Sequence, residues 1–167
     1  MATPSQIIII RHAEKPEQKS EDLSEVGFRR AEALKKVFEV HPELAEKGRP
    51  DFLFAAKYIS GQSSKRSIQT ITPLSVALNL QINTQYVTDD YKSLAKDLLT
   101  NPKYAGRSIF ISWTHSNIPG LAKAFGSSPK DDWNSNVFDR LWVLSFDDQG
   151  RVTSSDVAQR LLPGDSN

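Results

Sequence analysis

The segment QIIIIRH, residues 6–12, constrains the fold more than any other part of the chain. Its four consecutive isoleucines are β-branched, and the run is short, so it favours a strand over a helix. Apolar residues on both faces of a strand are typical of a parallel strand that is covered by helices on each side. Arg11 and His12 follow at once, so the sequence places two polar groups at the carboxyl end of a buried strand.

A second apolar run, SIFISW at residues 108–113, is also followed closely by a histidine, His115. The chain has three histidines, and two of them occur in this setting. Ligands of open α/β sheets bind outside the carboxyl ends of the strands. If the two strands are neighbours about 4.8 Å apart, His12 and His115 face one small volume. The third histidine, His41, stands before Pro42 at a predicted helix end and is expected to be structural.

Strand and helix patterns alternate through most of the chain. Helical spacing of apolar residues predicts a helix that starts after Ser24 and stops at the His41-Pro42 step. Further helices are expected at residues 63–78, 91–101 and 118–126, the first with a break or kink at Pro73. Further strands are expected at residues 51–56, 82–87 and 108–113, with a final hairpin at 140–157. This order predicts an α/β fold, a three-layer sandwich with a mostly parallel central sheet.

Length and composition limit the classes of function. A chain of 167 residues fits one domain, residues 1–167, with a disordered tail expected at 163–167. The absence of cysteine excludes disulfides and thiolate metal sites, and a net charge of +1 gives no reason to expect nucleic acid or a membrane as a partner. No span approaches the roughly 20 apolar residues of a membrane helix, and the N-terminus lacks a signal-peptide pattern, so we expect a cytoplasmic protein.

Arg66 adds a third element to the two histidines. It lies in the first turn of a predicted helix that follows a Gly/Ser loop, and its side chain should lean toward the helix N-terminus, where an anion is favoured. Taken singly, each of these residues has a plain structural explanation, such as a hydrogen-bonded histidine or a solvated arginine. Together, Arg11, Arg66 and the two histidines predict a compact cationic pocket that suits a phosphate group.

The stretches that carry these residues resemble motifs of the histidine phosphatase superfamily, the phosphoglycerate mutase-like proteins. IIIIRHAEKP resembles the Arg-His-Gly/Ala-Glu motif, and LSEVGFRRAEAL resembles the Leu-Ser/Thr-x-x-Gly-x-x-x-Ala helix. SSKRSIQTITPLSVAL is similar to the Ser-x-x-x-Arg-x-x-Gln-Thr helix. IFISWTHSNIPGLAKAFG and VFDRLWVL are similar to the second-histidine segment and to a late strand of small members. The resemblance runs from about Gln6 to Ser145.

The resemblance implies a role for each matching residue. His12 would be the nucleophile that takes the phosphoryl group, while Arg11, Arg66 and His115 would surround that group and balance its charge. An imidazole nucleophile must be neutral, whereas His115 can be cationic beside a phosphate. Asn117 would either hydrogen-bond the ligand or cap the helix that follows. No metal and no cofactor are expected.

The general acid is less well defined. Ser116 follows His115, so a carboxylate directly after the second histidine is absent. Asp89 and Asp90, in the loop after the third strand, are the candidates that the resemblance favours, and a plain turn with a helix cap at Asp90 is the alternative. Glu14 is a further candidate; alternatively, Glu14 and Lys15 would tune the pocket rim or form an exposed ion pair. A chain without an acid would suit an acyl phosphate or a phosphoramidate, whose leaving group needs little protonation.

The sequence therefore predicts a metal-independent phosphatase that works through a phosphohistidine on His12, with a phosphorylated small molecule or a phosphoprotein as substrate. A non-catalytic module that binds a phosphorylated partner with the same pocket is the alternative, and a third possibility is a domain whose histidines are purely structural. A mutase is disfavoured because mutases of this fold carry longer insertions as a lid. Specificity is expected in the loops, with Tyr58 and Trp133 at the rim.

Overall fold

The computed structural model describes residues 3–129 and 132–167. Those residues form one six-stranded sheet with the order β3-β2-β4-β1-β5-β6. The strands are β1 Gln6–Arg11, β2 Phe52–Ala55, β3 Ile82–Asn83, β4 Ser108–Trp113, β5 Arg140–Phe146 and β6 Val152–Ala158. The α-helices are α1 Glu25–Ala33, α2 Val37–Val40, α3 Arg66–Leu78, α4 Tyr91–Thr100 and α5 Ile118–Ala124. None of the helices in this part of the chain is long and apolar enough to cross a bilayer.

The sheet is mostly parallel, as predicted. Strands β3, β2, β4 and β1 run in one direction, and β1 pairs directly with β4. The hairpin of β5 and β6 adds two antiparallel strands at one edge, beside β1. The carboxyl ends of β1 and β4 therefore lie next to each other in the middle of the sheet.

The four isoleucines of β1 supply both faces of the sheet and are fully buried. Ile7 and Ile9 pack into one apolar cluster with residues of α4 and α5. Ile8 and Ile10 pack into a second cluster on the opposite face, with residues of α3 and of the segment that contains α2. Burial of each such side chain contributes about 1.5–3 kcal/mol. This two-sided packing explains the uninterrupted apolar run and confirms the three-layer sandwich.

The first helical region starts where the sequence predicts, since the Ser24 hydroxyl accepts a hydrogen bond from the Gly27 amide at 3.1 Å. It is not one helix, however. Helix α1 ends at Ala33, a 3-10 turn spans Leu34–Lys36, and α2 then runs to Val40 before the predicted stop at His41. Lys36 has φ −103° and ψ 8°, which lies outside the helical range and interrupts the regular hydrogen-bond pattern.

Helix α3 also differs from its prediction. It begins at Arg66 rather than at Ser63 or Ser64, because the Ser63 hydroxyl accepts a hydrogen bond from Ile59 within the preceding loop. The helix continues through Pro73 to Leu78 without the predicted break. The third strand is only two residues long, whereas the sequence predicts a strand to residue 87, and a 3-10 turn follows at Thr88–Asp90.

The C-terminal segment is folded against α1, where the sequence predicts a disordered tail at 163–167. The Asp165 carboxylate accepts hydrogen bonds from the amides of Leu161 and Leu162, at 3.0 and 3.1 Å. It also forms a buried ion pair with Arg30 at 2.7 Å. These contacts fix a short polar segment that composition alone predicts to be disordered.

Candidate active site

The two predicted site histidines follow neighbouring strands, as expected. Arg11, the last residue of β1, stands opposite Trp113, the last residue of β4. The His12 amide extends this pairing by donating to the Trp113 carbonyl oxygen at 3.0 Å. His115 comes two residues after Trp113, at the start of a 3-10 turn that ends at Asn117. Both histidines therefore leave the sheet at the same edge.

The imidazole of His12 is held in one tautomer. Its Nδ1 atom lies 2.8 Å from the Ala13 carbonyl oxygen, which can only accept, so Nδ1 carries the hydrogen and Nε2 keeps a free lone pair. Burial and, to a smaller extent, the nearby charges of Arg11, Arg66 and His115 lower the pKa of His12 to about 3, against the opposing effect of the Ala13 hydrogen bond. The ring is therefore neutral near pH 7.

A hydroxyl on α3 fixes the backbone beside His12. The Ala13 amide donates to Thr70 Oγ1 at 2.8 Å, and Thr70 in turn donates to the Arg66 carbonyl oxygen at 2.7 Å. This chain of hydrogen bonds joins the loop after β1 to the helix turn that carries Arg66. Thr70 was not predicted as a site residue, although it is the last residue of the Ser-x-x-x-Arg-x-x-Gln-Thr motif.

Arg11 is almost fully buried, with 1% of its surface exposed. Its Nη1 atom donates to the carbonyl oxygens of Ser135 and Val137, at 2.6 and 3.2 Å, and its guanidinium carbon lies 3.8 Å from the centre of the Phe138 ring. Burial, followed by the charge of Arg66, lowers the pKa of Arg11 to about 10. The side chain is thus fixed by the segment before β5, which sequence reasoning did not connect with the site.

Both arginines carry a buried donor without a hydrogen-bond partner among the described residues. These donors are Nε of Arg11 and Nε of Arg66. Arg66 Nη1 is occupied, since it donates to the Ser20 carbonyl oxygen. Leaving a buried donor unpaired costs about 1–3 kcal/mol, more for a charged group. A phosphate oxygen is a suitable acceptor for donors of this kind.

His115 is more exposed than His12. Burial lowers its pKa, and the charges of Arg11 and Lys15 act in the same direction. The neighbouring Thr114 hydroxyl is hydrogen-bonded to the Thr88 hydroxyl. This contact ties the second-histidine turn to the 3-10 turn at Thr88–Asp90.

The two candidate aspartates of that turn differ in their contacts. Asp89 Oδ1 accepts a hydrogen bond at 3.1 Å from the side-chain nitrogen of Asn117, the last residue of the second-histidine turn. The same Asn117 nitrogen donates to the Thr88 carbonyl oxygen at 3.0 Å. Asp90 instead accepts from the Ser93 hydroxyl at 2.6 Å, in the first turn of α4. The Asp89 carboxylate therefore lies against the second-histidine turn, Asp90 lies at the start of α4, and Asn117 bridges the two turns.

Glu14 is bound by Arg30 of α1. Its two carboxylate oxygens accept hydrogen bonds from Nε and Nη2 of Arg30, at 2.8–3.1 Å. Both oxygens of this carboxylate are therefore engaged by one guanidinium. The pair with the buried Arg30 differs from the exposed ion pair that was the alternative for Glu14, and it disfavours Glu14 as the general acid, which stays a prediction.

Arg66 lies between two surface cavities of about 730 and 410 Å³. The larger is lined by residues from the loops around Ser20 and Gly61 together with Thr88 and Thr114. The smaller is lined by residues 15–20 and by Ser135, Asn136 and Phe138. Trp133 was expected at the rim but is buried and packs into the core. A further cavity, of about 270 Å³, lies on β5 and β6 away from both histidines.

Comparison with solved structures identifies the fold. A phosphoglycerate mutase from Plasmodium falciparum matches with a TM-score of 0.63 and 16% identity, over 99% of this chain and 98% of the other. A mycobacterial glucosyl-3-phosphoglycerate phosphatase matches with a TM-score of 0.57 and 14% identity, over 92% and 97%. The protein histidine phosphatase SixA, in complex with tungstate, matches with a TM-score of 0.57 and 12% identity, also over 92% and 97%. No family model and no curated protein sequence matches the chain. The chain has the fold of the histidine phosphatase superfamily, the phosphoglycerate mutase-like fold.

Proposed function

We propose that the chain is a metal-independent phosphatase that acts through a phosphohistidine on His12. Nε2 attacks phosphorus, the bond from phosphorus to the leaving oxygen or nitrogen breaks, and water then hydrolyses the phosphohistidine. Arg11, Arg66 and His115 balance the charge of the equatorial oxygens during both steps. Phosphoryl transfer of this kind depends mainly on positioning and on electrostatic stabilisation, which are the two features that this site offers.

One observation carries the proposal. The Ala13 carbonyl oxygen holds the hydrogen of His12 on Nδ1, which leaves Nε2 as a neutral nucleophile. The charges of both arginines and of His115 act on the same imidazole, which supports a pocket in which these groups would receive a phosphate next to the attacking atom. A purely structural histidine has no need of this charged surrounding.

Trapping of the intermediate tests the proposal. The protein is mixed with an aryl phosphate labelled with ³²P, quenched in alkali and analysed for acid-labile label on the protein. We expect label and turnover in the parent chain and neither in His12→Ala. Equal turnover in His12→Ala would reject the role of His12. Turnover that persists in excess EDTA would support metal independence, and its loss would contradict it.

Asp89 is the general acid that we propose. Its carboxylate is beside the second-histidine turn, whereas Asp90 is engaged by Ser93. An alkyl phosphate needs protonation of its leaving group much more than p-nitrophenyl phosphate does. Asp89→Asn should therefore lower kcat strongly on the alkyl ester and weakly on the nitrophenyl ester, and the matched variant Asp90→Asn should lower neither. Equal effects of Asp89→Asn on both esters would contradict the assignment.

A phosphate-binding module without catalysis is the second candidate. Asp89 and Asp90 are exposed and Glu14 is occupied by Arg30, so the site holds no buried carboxylate free to act as an acid among the candidates predicted from the sequence. Such a module would bind phosphate or tungstate through Arg11 and Arg66 and would give no acid-labile label in the trapping experiment.

The substrate that we propose is a phosphorylated small molecule or a phosphoprotein. Two cavities meet at Arg66, which gives room for groups on either side of a phosphate. The matched proteins include a glucosyl-3-phosphoglycerate phosphatase and a protein histidine phosphatase, so sugar phosphates and phosphohistidine peptides are the first substrates to assay. Turnover of either class would support this choice, whereas a panel in which sugar phosphates, nucleotides and phosphohistidine peptides are all left intact would contradict it.

A further inference from the structure

We propose that Arg30 is a positioning residue that shapes the phosphate pocket. It connects the C-terminal segment to the loop after His12 and to the segment before β5 that contacts Arg11. The inference rests on the proposed function, because it concerns the same pocket. Arg30 itself lies on α1, outside the group of residues predicted to touch phosphate.

All five N–H groups of Arg30 are used, and the side chain is buried. Nε and Nη2 bind the two carboxylate oxygens of Glu14, at 2.8–3.1 Å. Nη2 and Nη1 bind the two oxygens of Asp165, at 2.7 and 2.9 Å. Nη1 also donates to the side-chain oxygen of Gln159 at 2.9 Å. Directly or through Gln159, one guanidinium thus links three parts of the chain, namely the loop after His12, the segment before β5 and the C-terminal turn.

The first of these parts is the loop that follows the proposed nucleophile. Glu14 stands two residues after His12, and its carbonyl oxygen accepts from both the amide and the hydroxyl of Ser24, at 2.9 and 3.1 Å. Arg30 therefore holds the side chain of Glu14 while Ser24, at the start of the same helix, holds its backbone. Between them they fix the path of the chain just beyond Ala13, whose carbonyl oxygen sets the tautomer of His12.

The second part is the segment that holds Arg11. Gln159, which Arg30 binds through its oxygen, donates its side-chain nitrogen to the carbonyl oxygens of Phe138 and Arg140, at 3.2 and 3.0 Å. The Phe138 ring lies against the Arg11 guanidinium at 3.8 Å. A displacement of Gln159 would therefore move the surface on which Arg11 rests.

The third part, the C-terminal turn, supplies the charge that keeps Arg30 in place. Burial alone would lower the pKa of Arg30, but hydrogen bonds from Arg30 to Asp165 and Glu14 outweigh it and raise that pKa. Replacing a buried ion pair with apolar residues is often neutral for stability, so such a pair is weak support for a purely stabilising role. Its position between two site loops favours a role in their placement.

Asp165→Asn tests the inference, with Asp147→Asn as the matched control. Asp147 also pairs with an arginine, Arg151, and also accepts from backbone amides, but it lies in an exposed turn away from the site. We expect Asp165→Asn to weaken the binding of inorganic phosphate about tenfold at a temperature where circular dichroism shows it folded. The control should bind like the parent. A folded Asp165→Asn with parental phosphate affinity would overturn the inference.

A second variant covers the case in which Asp165→Asn does not fold. Glu14→Gln keeps the size of the side chain and weakens the same network from its more exposed end. Its expected signature is the same loss of phosphate affinity, together with a change in the ¹⁵N shifts of His12, and parental values for both would overturn the inference. Neither readout requires turnover. A parent that binds phosphate without hydrolysing esters would therefore reject the proposed catalysis and still decide the role of Arg30.

Discussion

The Nδ1 atom of His12 and the carbonyl oxygen of Ala13, its neighbour in the chain, are 2.8 Å apart and hydrogen-bonded. The partner is a backbone atom that cannot change its protonation, so the tautomer of His12 does not depend on the ionisation of another side chain. Many catalytic histidines are oriented by a carboxylate, which would favour the cationic ring. Here a carbonyl oxygen orients the ring while burial and three nearby cationic or titratable groups keep it neutral.

The first prediction concerns the titration of His12. Its pKa is lowered to about 3, so the ring should remain neutral with hydrogen on Nδ1 from pH 8 down to about pH 4. An ordinary histidine would titrate near 6.5. Two-dimensional ¹H–¹⁵N spectra of the imidazoles would measure both the tautomer and the midpoint. A midpoint near 6.5, or hydrogen on Nε2, would contradict the description of the site.

The same shift has a consequence for stability. Between about pH 6.5 and pH 3 the unfolded chain binds a proton at His12 and the folded chain does not, so the free energy of unfolding falls as the pH is lowered through that range. Burial opposes ionisation of Asp165, but its hydrogen bonds, mainly with Arg30, outweigh burial and lower its pKa. The contribution of the Asp165 carboxylate to the free energy of unfolding is therefore also lost at still lower pH. Both groups make the protein less stable in acid.

The second prediction concerns Thr70. Thr70→Val keeps the shape of a buried side chain but leaves the Ala13 amide without its acceptor, at a cost of about 1–3 kcal/mol. Because Ala13 orients His12, we expect kcat/KM on an aryl phosphate to fall about tenfold in the folded variant. Thr72→Val is the control, since the exposed Thr72 hydroxyl donates to the Ile68 carbonyl oxygen of its own helix. Similar rates for the two variants would show that Thr70 does not position the site.

The local sequence pattern was sufficient to predict the central strands of the fold. The isoleucine run of β1 and the apolar run of β4 are strands because short β-branched and aromatic segments form them, and both strands end beside a histidine as predicted. Local sequence also predicted that Arg66 lies in the first turn of a helix. It did not predict the residue at which that helix begins, because the Ser63 hydroxyl accepts a hydrogen bond from its own loop and does not cap α3.

Contacts between distant segments were not predictable in this way. Glu14 was a candidate acid because it follows the Arg-His pair, but its position is decided by Arg30 on α1 and, through Arg30, by Asp165 at the far end of the chain. The expected disorder of residues 163–167 failed for the same reason, since composition carries no information on a buried partner. Asp89 and Asp90 are adjacent in sequence, and only the side chains of Asn117 and Ser93 distinguish them.

The third prediction concerns Gly27 in α1. A Cβ atom at this position would lie 2.3 Å from the Glu14 carbonyl oxygen, a backbone atom that is itself held by Ser24. Gly27→Ala should therefore destabilise the protein by about 1–3 kcal/mol in spite of the better helix propensity of alanine. Gly120→Ala in α5 is the matched variant, because its Cβ would meet only the far end of the Tyr91 ring at 2.8 Å, which can turn aside. Urea unfolding of both would measure the difference, and equal midpoints would contradict it.

The fourth prediction concerns the Nε donor of Arg66, which has no hydrogen-bond partner within residues 3–129 and 132–167. Arg66→Lys keeps a positive charge but removes the buried Nε–H and the planar pair of donors that suits a phosphate. Loss of one charge-assisted hydrogen bond is worth about 1.5–3 kcal/mol, so affinity for inorganic phosphate should fall by about tenfold or more, as measured by isothermal titration calorimetry. The exposed Arg29 on α1 supplies the control, since Arg29→Lys makes the same chemical change away from the pocket and should bind phosphate like the parent. If Arg66→Lys also binds like the parent, then charge alone accounts for the role of Arg66 and the unpaired Nε is not a phosphate donor.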